Sequence, residues 1–123
     1  MIGSKETVLF DIGSEIEGGL LRFDIWFNGV HLTFVDNMAY PPSMLESLKF
    51  ELDQLKNKRI NPDNFWFNFG PTTDDFSATL HLKGKLACIS LEFESNTYNL
   101  NISIIELQKI YESAINAVSA KNT

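Results

Sequence analysis

Residues 20–36 read L-L-R-F-D-I-W-F-N-G-V-H-L-T-F-V-D, and their alternation decides the fold class. Asn28-Gly29 suits a type I′ turn, because both central positions of that turn need positive φ and these residues tolerate it best. Closing the turn sets Phe27 against Val30, Ile25 against Leu32 and Phe23 against Phe34, with Leu21 beside them on one apolar face. The other face pairs Trp26 with His31 and Asp24 with Thr33. A slip of one residue would turn the apolar set to water, so turn and pattern specify the same register.

Upstream, residues 6–12 read as a first strand with Val8, Phe10 and Ile12 inward, and 13–19 (G-S-E-I-E-G-G) as a turn. Together with the hairpin they predict an antiparallel meander. Downstream, Tyr40-Pro41-Pro42 ends the sheet, since neither proline can donate to a ladder. Ser43-Met44-Leu45-Glu46 matches a capping box, and Leu45, Leu48, Leu52 and Leu55 give a helix one apolar stripe. That helix stops in Lys56-Asn57-Lys58-Arg59, cations suited to the negative end of its dipole.

After a turn at 61–64, the phenylalanines of 65–69 alternate with Trp66 and Asn68 and mark another strand, which 70–75 breaks. A second hairpin turns around Lys83-Gly84, setting Leu80 against Ala87, Ala78 against Ile89 and Phe76 against Leu91. Residues 96–101 are polar around Tyr98 and Leu100. Ser103-Ile104-Ile105-Glu106 then opens a C-terminal helix with Leu107, Ile110, Tyr111, Ala114 and Val118 on one face and a frayed end at 119–123. The order βββ-α-βββ-α predicts one α+β domain over 1–123, a curled antiparallel sheet of about six strands covering the first helix. Two placements of the C-terminal helix stay open. It covers the same face or an edge, or it covers the second face and buries Trp26 and Trp66.

Hydrophobic residues at 44% and ten phenylalanines in 123 residues argue for a folded chain with a substantial core. The single cysteine, Cys88, has no partner for an intramolecular disulfide and fits a reducing compartment such as the cytoplasm. No apolar run reaches the roughly 18 to 20 residues of a membrane helix, and M-I-G-S-K-E-T lacks a signal-peptide core. Net charge is −6, and residues 1–40 alone hold two cations against six acids. Such a surface repels phosphate backbones, which argues against direct nucleic-acid binding, and attracts a basic partner. Ordinary solubility charge is the plainer alternative.

His31 and His81 fall in different hairpins. Cys88 meets His81 only as a diagonal cross-strand neighbour, with no helix N-terminus to activate the thiol. Neither a zinc cluster, a calcium loop nor a phosphate loop is present, so no metal, cofactor or catalysis is expected. Glu92 and Glu94 share a strand face but read as a solvated edge. Two partner-binding surfaces stand out. The first meander carries Asp11, Glu15, Glu17 and Asp24 with Trp26, and the second hairpin carries Asp74, Asp75, Glu92 and Glu94. Trp66, like Trp26, lies on an otherwise polar face, where a tryptophan suits a binding hot spot.

The small acidic build and the strand–helix–strand–helix order extend over most of 1–118. With W-F-N-G-V-H-L-T-F at 26–34, F-W-F-N-F at 65–69 and L-A-C-I-S-L-E-F-E at 86–94, the chain resembles the small immunity proteins of bacterial polymorphic toxin and contact-dependent growth-inhibition systems. The resemblance implies a cognate toxin domain, frequently a nuclease, bound stoichiometrically by acids that cover its cationic active site. A reading from another class is a small-ligand-binding domain with a pocket under the curled sheet, or an accessory subunit of a larger assembly. Oligomeric state is not specified by the sequence.

Overall fold

In the first hairpin the backbone turns where the sequence says it should: Asn28 has φ 49° and Gly29 φ 82°, and Trp26 pairs with His31 and Phe27 with Val30. A computed structural model describes residues 1–57, 65–70 and 75–121, Phe65 and Trp66 by their backbone alone. The first sheet comprises β1 (Ile2–Gly3), β2 (Val8–Glu17), β3 (Leu20–Phe27), β4 (Val30–His31) and β5 (Met38–Ala39). Helix α1 (Pro41–Asn57) follows. The second sheet comprises β6 (Phe65–Phe67), β7 (Phe76–Lys83), β8 (Leu86–Phe93) and β9 (Asn96–Ser103), and α2 (Ile104–Lys121) comes after it. Every strand pair is antiparallel, so the class is α+β. The strands form two sheets rather than one curled one, because each meander closes its ladders with its own neighbours.

Four local expectations are corrected. First, the pairing of Phe23 with Phe34 does not form. Leu32 N still donates to Ile25 O, but Thr33 Oγ1 then takes the Ile25 N–H at 3.0 Å in place of a backbone carbonyl. This side-chain competition with the ladder ejects the chain at 33–37. Phe23 N bonds Asn37 O, and pairing resumes at Leu21–Ala39. Second, most of 13–19 is strand. β2 runs on to Glu17 through an irregularity between Ile12 and Ile16, and only Gly18 (φ 60°) and Gly19 (φ 81°) turn.

Third, the second hairpin turns at Gly84-Lys85. Gly84 (φ 60°) takes the first central position of a type II′ turn, which spares Lys83 a positive φ. Leu80 consequently pairs with Ile89, Ala78 with Leu91 and Phe76 with Phe93. That register differs from the expected one by two residues, so the inward face is unchanged. Fourth, α1 begins before the Ser43 capping box. Pro41 occupies its first turn, where a missing N–H costs nothing, and Met44 N reaches back to Tyr40 O at 3.0 Å. The serine half of the second capping box forms, with Glu106 N donating to Ser103 Oγ at 3.4 Å. α2 continues through 119–121, where fraying was expected. The turn at 61–64, Lys58-Arg59 and Asp74 lie outside the described residues.

α2 is the layer that both sheets share. It meets β1 and β2 of the first and β8 and β9 of the second, and α1 lies against it. Tyr111 packs edge-on to Phe10 at 5.7 Å and beside Phe67 at 5.3 Å. Under the first sheet Phe23, Phe10, Phe69 and Phe27 form a chain of ring contacts. One buried cluster joins both sheets and both helices. The C-terminal helix therefore covers the inner faces and leaves Trp26, on the outer face, half-buried.

Candidate partner-binding surface

Strand alternation sends Asp24 outward from β3, yet the chain leaving β4 folds over it. Its Oδ1 accepts from Thr33 Oγ1 at 3.0 Å and lies 2.9 Å from His31 Nε2. Its Oδ2 accepts from Arg22 at 2.5 Å and from Asn37 Nδ2 at 3.4 Å. Burial raises this carboxyl, but the His31, Arg22, Thr33 and Asn37 donors outweigh it and hold the group below the ordinary aspartate value. Asp11 stands opposite Asp24 across the ladder, and Arg22 separates the two like charges, 3.4 Å from Asp11. Trp26 stacks on His31, centroids 4.5 Å apart, and carries Lys5 Nζ 4.4 Å from its ring centroid. Asp11, Asp24 and Trp26 thus tie β3 to its neighbours.

Glu15 and Glu17 are placed differently. Beyond the β2 irregularity, β2 and β3 continue past the core as a two-stranded arm, residues 14–20, every one exposed. β5 joins the base of this arm through the Leu21–Ala39 and Arg22–Met38 pairs, and continuing that register sets Tyr40 beside Leu20. A depression of about 250 Å³ between Glu15, Glu17, Arg22 and Met38 marks the junction. The 33–37 excursion adds Phe34, 55% exposed, and Val35, 75% exposed. Ile16, Leu20, Phe34, Val35, Met38 and Tyr40 are all large apolar side chains left in water. Such residues scattered singly are ordinary. Leu20, Met38 and Tyr40, however, share one face of the arm and β5 with Glu15 and Glu17, and the adjoining loop adds Phe34 and Val35 beside Asp36. This is an apolar set with acids around it, such as binding surfaces use. Ile16, paired with the inward Leu21, lies on the other face.

Comparison with family models, curated proteins and solved structures returns no match.

The second predicted surface adjoins the first. Glu92 and Glu94 are exposed at the far end of β8, as is Asp75. Phe93, between the two glutamates, meets Phe34 edge-on at 6.0 Å, so the loop that carries Phe34 and Val35 runs from the arm to the β8 end. The Trp66 side chain and Asp74 lie outside the described residues. Phe34, Val35, Met38 and Tyr40 escape sequence reasoning because alternation assigns Phe34 to the core. The signal that could have found them is the break of period at F-V-D-N, two adjacent apolar residues before a turn pair.

On the outer face of the second sheet, Cys88 lies directly opposite His81 instead of diagonally, in one row with Asn101. They share a shallow groove of about 470 Å³ with Lys83, Ser90 and Asn99. Among the described residues no three metal-ligating side chains cluster, and no helix is long and apolar enough to cross a membrane.

Proposed function

We propose that the chain is an immunity-type inhibitor that binds a cognate bacterial toxin domain, in the simplest case a basic nuclease, and blocks it by stoichiometric occlusion. The observation that carries the reading is the acid-rimmed apolar patch of the arm and the loop after β4. Covering a phosphate-binding cleft requires carboxylates to meet its cations and apolar side chains to exclude water. Glu15 and Glu17, unlike Asp11 and Asp24, make no ion pair among the described residues, so their charge faces outward. A net charge of −6 would also speed encounter with a basic partner. In this reading the protein works in the cytoplasm without catalysis or cofactor, and touches the toxin rather than its nucleic acid.

Co-expression with the product of the neighbouring gene tests the reading. A 1:1 complex should form, and toxin activity should fall linearly to an end point at one equivalent. Sub-stoichiometric loss of activity would make this chain an enzyme instead. A multi-subunit complex whose activity survives would favour the accessory-subunit alternative.

A further inference from the structure

Inside the fold, polar side chains are engaged by the protein itself. Glu51 on α1, 2% exposed, accepts from Asn68 N at 2.5 Å and from the Tyr111 hydroxyl at 3.0 Å. Among the described residues no buried side-chain nitrogen or oxygen lacks a partner. The outer face of the second sheet is the contrast. The groove of about 470 Å³ around Cys88 is lined by His81, Lys83, Ser90, Asn99 and Asn101. None of these five side chains makes a hydrogen bond or ion pair among the described residues. The ladder holds their polar atoms side by side and presents them together to the medium.

Strand pairing fixes where they stand. His81, Cys88 and Asn101 form one row across β7, β8 and β9, Ser90 and Asn99 belong to the next, and Lys83 stands beside Leu86 on the other side. With strands about 4.8 Å apart and alternate residues about 7 Å apart along each, the three rows span about 10 by 14 Å, room for one small molecule. The chemistry of the lining is one-sided. Lys83 is a cation, and the two Asn amides, the Ser90 hydroxyl and the His81 ring all have hydrogens to donate. No carboxylate lines the groove, although the chain carries 16 acids against 10 lysines and arginines. Glu92, the acid that β8 carries on this face, lies beyond Ser90 in a separate depression with Ser77 and Thr79.

We propose that this groove binds one phosphate group of a small molecule, held by Lys83 through charge and by Asn99, Asn101 and Ser90 through hydrogen bonds. A lysine serves phosphate as a point charge, and charge-assisted bonds are the strong ones. Phosphate suits the site better than a carboxylate does, because its oxygens point in several directions and the donors come from three strands. Leu86, 41% exposed beside Lys83, offers apolar surface to an organic substituent. A nucleic-acid strand does not fit, since further phosphates along β8 would meet Glu92. The site is independent of the toxin reading, for it occupies the end of β8 away from Phe93 and Phe34.

NMR titration of the whole chain with phenyl phosphate, inorganic phosphate and benzoate, at constant ionic strength and neutral pH, tests the site. Both phosphates should shift the His81, Cys88, Asn99 and Asn101 amides saturably. Lys83→Ala should weaken them by about tenfold, the loss of one charge-assisted bond. Asn101→Asp, which puts a carboxylate in the groove, should abolish the shifts. Both substitutions fall on exposed positions, so the remaining signals should stay native. Tighter binding of phenyl phosphate that Leu86→Ser removes would identify an ester as the ligand, and equal affinities would identify free phosphate; either upholds the site. Shifts that rise without saturating or appear equally around Lys49 and Lys109, affinity unchanged in Lys83→Ala, or benzoate binding as tightly as phenyl phosphate would overturn it.

Discussion

At the scale of single residues, a carboxylate in this chain acts according to the donors around it. Asp24 is held ionised by its neighbours and fastens the 33–37 segment that would otherwise be strand. Asp24→Asn should cost about 1–3 kcal/mol near neutral pH, because a charged, hydrogen-bonded group is lost from a buried place. The folded-state value of Asp24 is depressed, so its contribution is complete above the ordinary 3.8 and disappears as pH falls through the lower folded value. Urea unfolding curves of native and variant protein should therefore converge in acid; a constant gap would assign the loss to packing. Alkylation of Cys88, half-buried in an open groove, should leave the fold and any partner affinity intact, as thermal melts and binding would show. Glu51 was half legible. Its place between Leu48 and Leu55 at helical spacing turns it inward, but its partners stand 17 and 60 residues away, beyond any local pattern.

Among the elements, turns were readable where glycine supplies the positive φ, as at Asn28-Gly29. The β8–β9 turn was not, because Glu94 (φ 50°) and Ser95 (φ 65°) both adopt left-handed backbone without a glycine. Ser95→Gly should stabilise the protein by about 0.5–1 kcal/mol, measured by urea denaturation, since it removes a Cβ from a conformation that disfavours one. No gain would mean that the turn is not strained. Gly29→Val should do the reverse and cost about 1–3 kcal/mol. Strand alternation correctly sorted the faces of β3, β7 and β8, even where the register was two residues off. It failed after His31, since a hydroxyl that replaces a ladder carbonyl leaves no periodic trace. That failure hid the loop which carries the exposed Phe34 and Val35.

For the molecule as a whole, partner binding separates charge from contact. Reversing Glu15 and Glu17 together should slow association with a basic partner by about tenfold at low salt and flatten its salt dependence. Replacing Phe34 and Tyr40 by serine should leave the melting temperature near native and raise the off-rate, by about 2 kcal/mol if they form the centre of the contact. Kinetics that ignore both changes across a salt series would move the interface elsewhere. The position of α2 carries a separate consequence, for the order in which the chain folds. Both meanders pair near neighbours and can form as soon as they are made, but the helix that covers their phenylalanine faces follows every strand. A nascent chain halted at Ser103 would hold two finished ladders with uncovered interiors, a substrate for chaperones and for self-association. Truncation at that residue should give insoluble protein, and supplying residues 104–121 as a separate peptide during refolding should rescue part of it.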